Sequence, residues 1–396
     1  MKTRIYLIRH AEAEGNLYRR SQGQYNSNVT SLGRRQIAAL AERFRDVPLD
    51  ALWSSDLYRT QSTASAIRKY HPELELHLEP RLREIDVGVW EDMPWGNISR
   101  DYPEQMEYFS HDPGRWSVPG GEPYTDVQAR MRAVVLELAE RYPGGRVAAV
   151  SHGLAIRSLL CSIFGIASED IDSLPYGDNT SVALLTAEDG ALSVEWYNDA
   201  SHLTEKGIST FARQGWWREK AKQSPASKVY SHFVPLDPRK EGELYSRLYA
   251  ATWRESHGNL AGYSPAVYLH SAEQHARKNP ACLMKLFTGE EFAGIVELDP
   301  ERGAEDGAGW ISLVYLEPEA RGRRLGVQLI GHAVSFFRRE GRSSLRLHVA
   351  YDNENAAGFY EHIGFRDIGR DRGALGPLHL MELDIRQRVI PPEEIG

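Results

Sequence analysis

Ile5-Tyr6-Leu7-Ile8-Arg9-His10 places a short apolar run immediately before an arginine and a histidine. The arrangement returns downstream, where Val147-Ala148-Ala149-Val150 leads into Ser151-His152-Gly153. Uninterrupted apolar runs of this length are the pattern of strands buried on both faces of a parallel sheet. In open α/β sheets, ligands bind beyond the carboxyl ends of the strands. Two imidazoles and a guanidinium placed there predict a site that handles an anion.

The surrounding composition bounds what that site can serve. At 396 residues, with 41% hydrophobic and 26% charged side chains, the chain is expected to fold as two soluble globular domains. A formal net charge of -8 argues against nucleic-acid or anionic-membrane partners, because such binding needs a clustered basic face. Cys161 and Cys282 lie in apolar surroundings and read as buried free thiols, and the spacing of Cys, His, Asp and Glu predicts no metal. The apolar stretch near the N-terminus is shorter than a signal h-region, and no run reaches the length of a membrane span, so the chain reads as cytoplasmic. Oligomeric state is left open by these features.

Strand and helix patterns alternate over residues 1–205. A helix is expected at 31–44, where Leu32, Ile37, Leu40, Ala41 and Phe44 recur at helical spacing, and a strand at 51–53. Ser54-Ser55-Asp56 then offers N-cap side chains for the next helix. Residues 83–121, rich in Pro, Gly and Trp, predict an irregular lid. A helix over 125–141, the strand 147–150 and a helix over 154–164 follow. Residues 206–227 read as a helical extension and linker. A second pattern occupies 228–386, with helices at 243–254 and 326–339 and strands at 292–298, 310–316 and 345–350. Residues 387–396 are set apart as a C-terminal tail.

Phosphoryl transfer to a protein nucleophile needs a neutral imidazole, cations for the phosphoryl oxygens and an acid for the leaving oxygen. Arginine suits the second task because its planar fork meets two phosphate oxygens at once. Arg9-His10, Arg59 and His152 fall at strand ends and helix starts, where backbone N–H groups add donors. The stretch Leu7-Ile8-Arg9-His10-Ala11-Glu12-Ala13-Glu14-Gly15-Asn16 resembles the signature of the histidine phosphatase, or phosphoglycerate-mutase-like, superfamily. Matches continue in order through Thr30-Ser31-Leu32-Gly33 with Gln36, Ser55-Asp56-Leu57-Tyr58-Arg59-Thr60, Leu82-Arg83-Glu84-Ile85, Gly88-Val89-Trp90-Glu91, Pro119-Gly120-Gly121-Glu122 and Ser151-His152-Gly153.

The resemblance covers about residues 1–205 and implies a three-layer α/β/α phosphoglycerate-mutase-like domain. Its carry-over makes His10 the phosphorylated nucleophile and Glu84 the proton donor. Arg9, Asn16, Arg59 and His152 would bind the phosphoryl group, and Gln22 and Gly23 would line the substrate pocket. Ala11 stands where the family usually has glycine. Residues 82–91 look like the phosphatase branches rather than the glycolytic mutases. His202 is assigned to structure.

In the second half, a strand runs into Glu317-Pro318-Glu319-Ala320-Arg321-Gly322-Arg323-Arg324-Leu325-Gly326 and then a long helix, a turn that exposes backbone N–H groups to phosphate oxygens. With Asp352-Asn353-Glu354-Asn355-Ala356-Ala357-Gly358-Phe359-Tyr360 and Gly364-Phe365, it resembles the GNAT acyl-CoA-dependent N-acetyltransferases. That resemblance implies a mixed α/β domain over 228–386, acetyl-CoA as cosubstrate and an amine acceptor. Arg321, Gly322, Arg324 and Gly326 would cradle the CoA pyrophosphate, with Arg324 in place of the family's middle glycine. Main-chain groups of Val314 and Leu316 would pair with the pantetheine arm, Asn353 would touch CoA, and Tyr360 would protonate the departing thiolate. Glu297, read on an edge strand beside the CoA strand, is a candidate general base.

Together these readings describe a bifunctional enzyme that hydrolyses a small phosphorylated metabolite and acetylates an amine. Two alternatives fit the same residues. One is a mutase joined to an acetyltransferase, and the other a phosphatase joined to a CoA-binding module without catalysis.

Overall fold

Strands β1 (Thr3–Arg9), β2 (Ala51–Ser54), β3 (Leu76–Leu78), β4 (Arg146–Ser151), β5 (Val182–Glu188) and β6 (Ala191–Asp199) form one sheet in the order β3-β2-β4-β1-β5-β6. β1 and β4 pair in parallel, Ile5 against Val147 and Ile8 against Val150, so the two quoted runs are neighbours and deliver His10 and His152 to the same end of the sheet. β2 and β3 extend the parallel side, while β5 and β6 are antiparallel. Successive strand residues face opposite ways. Accordingly Ile5 and Leu7 pack with Val127, Met131 and Leu159 of helices Tyr124–Arg141 and Gly153–Phe164, and Ile8 packs with Ile37, Phe44 and Ile67 of helices Ser31–Phe44 and Tyr58–Arg68. The expected three layers are present, each buried aliphatic side chain contributing about 1.5–3 kcal/mol.

This computed structural model describes residues 1–213, 231–373 and 375–395. They fall into two units: residues 1–213 with 387–395, and 231–373 with 375–386. Residues 214–227 of the expected linker lie outside the described residues.

Two local expectations need correction. Helix Tyr58–Arg68 starts after Leu57 and has no side-chain cap; the Asp56 carboxylate accepts Arg83 Nε–H at 2.6 Å instead, and Ser55 turns toward His152. The 83–121 segment is not an irregular lid. It contains helices Trp95–Asp101 and Pro103–His111, the latter opened by a proline at its first position. Its Trp90, Ile98 and Trp116 are buried in the core, because the Trp-rich composition packs ring against ring rather than remaining in a loop.

The second unit is a sheet of β7 (Ser231–Pro235), β8 (Leu283–Thr288), β9 (Glu291–Asp299), β10 (Ala308–Leu316), β11 (Ser344–Ala350), β12 (Arg366–Arg372) and β13 (Pro377–Asp384). Their order is β12-β13-β11-β10-β9-β8-β7. Among the described strands of this sheet only β10 and β11 run parallel, and they pair just at Ala308–Trp310 against Ser344–Arg346 before parting. Helices Gly242–His257 and Pro265–Lys278 cover one face through Tyr245, Leu248 and Ala272, over Ile295, Leu313 and Tyr315. Helix Leu325–Arg339 seats Phe337 on Gly309 of β10, where a Cβ would lie 2.2 Å from the ring.

Candidate active sites

At the end of the first sheet, the His10 and His152 rings lie 5.3 Å apart. His10 Nδ1–H donates to the Ala11 carbonyl at 2.7 Å, and in the neutral ring this leaves the lone pair on Nε2. Burial, reinforced by Arg59 and Arg9, holds the His10 imidazole well below its ordinary pKa. His152 is displaced in the same direction, by burial and then Arg59. Both rings are therefore neutral near pH 7.

Arg59 is 0% exposed, and its guanidinium donates to the carbonyls of Tyr25 at 2.9 Å and Gly23 at 2.7 Å. Burial pulls its pKa down to about 10, with the carboxylates of Glu84 and Glu91 opposing that shift. Arg9 donates to the Gly177 carbonyl at 2.5 Å and lies along Gly153, where an added Cβ would come within 3.3 Å of its Nε. Arg9 Nε, Arg59 Nε and His152 Nδ1 are buried nitrogens without a hydrogen-bond partner. Buried donors left unpaired cost about 1–3 kcal/mol each. Three of them around one imidazole suit an anion with several acceptor oxygens.

Glu84 sits at the N-terminus of helix Gly153–Phe164, accepting the N–H groups of Leu154 at 3.0 Å and Ala155 at 2.8 Å, as well as that of Ile85 at 3.1 Å. It is thus held by backbone groups two and three residues along the chain from His152. Asn16 Oδ1 accepts the Ala13 N–H at 3.1 Å, closing the turn that follows His10. Gln22 Oε1 accepts from Ser27 Oγ at 2.8 Å. Gln22 and Gly23 thus meet Arg59 through their main chain.

Several supporting residues carried no role at the phosphate site in the sequence reading. Glu91 accepts the backbone N–H groups of Gly23, Gln24 and Tyr25 at 3.2, 2.6 and 3.0 Å, which shapes the loop whose carbonyls hold Arg59. Its only sequence signal was its place in the quoted Gly88–Glu91 match. Asn179 Nδ2 donates to the His10 carbonyl at 2.9 Å, and Thr180, in a left-handed conformation, gives its N–H to the Arg9 carbonyl at 3.1 Å. His202, assigned to structure, hydrogen-bonds Thr180 Oγ1 at 3.1 Å. Ser55 Oγ lies 2.9 Å from His152 Nε2. When that hydroxyl donates, the neutral ring carries its proton on Nδ1, the unpartnered atom.

In the second unit, β10 parts from β11 beyond Trp310, and among the described strands Val314 and Leu316 pair only with Val296 and Gly294 of β9. The loop beyond β10 turns through Gly322 at φ 72° and Arg324 at φ 60°, both left-handed. Helix Leu325–Arg339 then begins without a side-chain cap, so its first N–H groups face outward from the turn. Arg321 Nε–H donates to the Leu316 carbonyl at 3.1 Å, and its Nη2 pairs with Glu255 at 2.7 Å. A Cβ on Gly326 would approach Phe359 to 3.0 Å. Uncapped N–H groups, a left-handed turn and three arginines fit the pyrophosphate of a CoA thioester.

Asn353 Oδ1 caps helix Glu354–His362 by accepting the Ala356 N–H at 3.1 Å. Tyr360 packs against Phe359 and Phe365, and burial pushes its phenol up, so it stays protonated. Glu297 is not on an edge strand: β9 lies between β8 and β10, and the residue is 1% exposed. Its carboxylate accepts Tyr245 Oη–H at 2.8 Å and pairs with His275 Nδ1 at 2.8 Å. Those two partners tie both covering helices to the sheet, which is the work of an anchor rather than a free base.

Among the described residues, no group of three or more His, Cys, Asp or Glu side chains is placed to hold a metal ion, and no helix is long and apolar enough to cross a membrane. Cys161 and Cys282 are both free and buried.

The profile of the histidine phosphatase superfamily (branch 1) matches residues 5–200, and that of the acetyltransferase (GNAT) family matches 244–365. Phosphoserine phosphatase 1 of Hydrogenobacter thermophilus is 30% identical over 202 residues, 51% of this chain and 95% of that protein. The probable phosphoglycerate mutase GpmB of Yersinia pestis is 35% identical over 162 residues, 41% of this chain and 75% of that protein. Among solved structures, Bacillus stearothermophilus YhfR is 31% identical with a TM-score of 0.49, covering 51% of this chain and 99% of its own.

Proposed function

Because the chain belongs to the histidine phosphatase superfamily and carries a GNAT acetyltransferase segment, we propose that it hydrolyses a small phosphomonoester through phospho-His10 and acetylates an amine with acetyl-CoA. The observation that carries the first activity is the set of unpartnered buried nitrogens, Arg9 Nε, Arg59 Nε and His152 Nδ1, around an imidazole with a bare Nε2.

In this reading His10 Nε2 attacks phosphorus in line while the bond from phosphorus to the ester oxygen breaks. Arg9, Arg59 and His152 hold the phosphoryl oxygens as charge builds on them, and the Asn16 turn and the Gln22–Gly23 main chain border the pocket. Glu84 gives its proton to the departing alkoxide. A water then attacks phosphorus, Glu84 takes a proton from it, and the bond to His10 breaks to release orthophosphate and the free imidazole. Positioning and charge stabilisation supply most of such a rate enhancement.

Acetyl-CoA supplies the acetyl thioester for the second activity. The loop of Arg321, Gly322, Arg324 and Gly326 would hold the pyrophosphate, main-chain groups at Val314 and Leu316 would receive the pantetheine arm once Arg321 releases the Leu316 carbonyl, and Asn353 would contribute a contact through its amide. Tyr360 would protonate the thiolate as the carbon–sulfur bond breaks, and the proton lost by the amine nitrogen would pass through water to restore the phenol.

The test is direct. His10→Ala is expected to abolish phosphate release from p-nitrophenyl phosphate with the circular dichroism spectrum unchanged, and surviving turnover would remove the phosphohistidine step. Comparing phosphate release with phosphoryl transfer to an added acceptor separates a phosphatase from the mutase activity named for the Yersinia relative. Titration calorimetry with acetyl-CoA addresses the other unit, where absence of binding would sink the transferase reading.

A further inference from the structure

The segment after the GNAT unit does not stand off as a tail. Ile390 and Ile395 are buried with Ile8, Ala64 and Ile67 in the core of the first unit. The Ile390 N–H donates to Ser62 Oγ at 2.9 Å, and its carbonyl accepts Ser65 Oγ–H at 2.7 Å. Both serines lie on helix Tyr58–Arg68, about one and two turns beyond Arg59. Lys69 Nζ reaches the Ile395 carbonyl at 2.9 Å.

Glu394 meets Arg34 of helix Ser31–Phe44 at 3.5 Å, and further contacts of this segment fall on the 22–28 loop. Arg388 N–H donates to Asn28 Oδ1 at 3.0 Å, and Gln387 Nε2 donates to the Asn26 carbonyl. Asn26 Oδ1 in turn accepts the Tyr58 N–H at 2.9 Å, the first residue of the arginine helix. The same loop, a few residues earlier, supplies the Gly23 and Tyr25 carbonyls that hold the Arg59 guanidinium. Within the segment, Arg388 pairs with Glu394 at 2.6 Å across Pro391-Pro392, which restricts its shape before it docks.

Simple burial of two isoleucines would explain docking anywhere on the core. Most of the polar contacts are more selective, because they join the helix that carries Arg59 to the loop whose carbonyls hold its guanidinium. We infer that residues 387–395 position the phosphate site: by fixing helix Tyr58–Arg68 against the 22–28 loop, they set the guanidinium of Arg59. Phosphate affinity in the first unit then depends on a segment that follows the second. The inference rests on the phosphatase reading only for what the site does with phosphate; the positioning itself concerns anion binding.

The test uses the full chain. Ser62→Ala with Ser65→Ala leaves the Ile390 N–H and carbonyl without partners and is expected to lift the segment. Inorganic phosphate binding, followed by calorimetry, should weaken at least tenfold, and KM for p-nitrophenyl phosphate should rise correspondingly while kcat falls less than threefold. A chain lacking 387–396 should show the same loss and recover phosphate binding when a synthetic peptide of residues 386–396 is added. Acetyl-CoA binding reports that the GNAT unit is folded, and an unchanged circular dichroism spectrum that the first unit is. Phosphate affinity within twofold of wild type in the double variant would overturn the inference, as would a deletion that no peptide rescues. A wild-type protein that binds phosphate but releases none from the ester would instead fail the phosphatase reading alone.

Discussion

Replacing Glu84 with glutamine keeps the side chain's shape and removes its transferable proton. In the native site Oε1 accepts the N–H groups of Ala155 and Ile85, at 2.8 and 3.1 Å, and Oε2 accepts that of Leu154 at 3.0 Å. An amide has one acceptor oxygen, so its NH2 group must face at least one of those N–H donors. Leaving a buried donor unpaired predicts a stability loss of about 1–3 kcal/mol. General acid catalysis is worth about 10²–10⁴ in rate, or about 2.7–5.4 kcal/mol at about 1.36 kcal/mol per tenfold. The two effects separate by leaving group. An alkyl phosphate such as glycerol phosphate, whose alkoxide needs the proton, should lose the full factor in kcat/KM. p-Nitrophenyl phosphate, whose phenolate departs unaided, should lose less than about tenfold, the share left to disturbed positioning. Steady-state kinetics on both esters, with denaturant unfolding of the same variant, supply the comparison. Equal losses on the two esters would mean that Glu84 acts by holding the start of helix Gly153–Phe164 and His152, not as the acid.

Three further outcomes are expected. Burial beside Arg59 and Arg9 keeps His10 well below the ordinary histidine value of 6.5, and only the neutral ring attacks, so the acid limb of kcat/KM should fall below pH 6.5; a midpoint at or above that value would refute it. For His275, burial lowers the pKa, but the hydrogen bonds it donates to Asp299 and Glu297 outweigh that and raise it to about 9. Its folded value lies above its unfolded one, so this stabilisation is complete below about pH 6.5 and disappears as pH rises through about 9. Amide exchange along Pro265–Lys278 should accelerate over that interval beyond the intrinsic base-catalysed rise, and a His275→Gln variant should lack the extra step. Finally, Arg324→Gly removes a left-handed non-glycine residue worth about 1–2 kcal/mol of strain and adds about 0.5–1 kcal/mol of backbone entropy cost. The net should be a gain of up to about 1.5 kcal/mol in denaturant unfolding, with weaker acetyl-CoA binding, and a less stable variant would contradict the strain at φ 60°.

The parts of the fold that were legible are those in which burial leaves a repeating pattern. Ile5–Ile8 and Val147–Val150 are covered on both faces, so their apolar runs announce strands, and Ser31–Phe44 shows its buried stripe because its other side meets water. β12 carries no such pattern. Its Arg-Asp-Ile-Gly-Arg-Asp-Arg is exposed on nearly every residue at the sheet edge, where only β13 recognises it through the backbone. In the candidate phosphate site, the residue types announced themselves through motif order, whereas their supports did not. Glu91 and Asn179 act on backbone groups of distant segments, and backbone partners leave no trace in local sequence. Ser55 was visible but misassigned, since a serine before a helix reads as a cap until a buried imidazole is found beside it.

Residues 387–395 are made by the ribosome only after the whole of β7 to β13. Until they emerge, the face of helix Tyr58–Arg68 that receives Ile390 and Ile395 is open, and Ser62 and Ser65 have no Ile390 to meet. Domains usually fold in the order in which they are synthesised. Of these two units, the one translated earlier is completed later, and the GNAT unit can finish folding while its predecessor waits. A frameshift or stop codon just past Arg386 would therefore spare the domain in which it nearly falls and injure the one encoded hundreds of codons upstream.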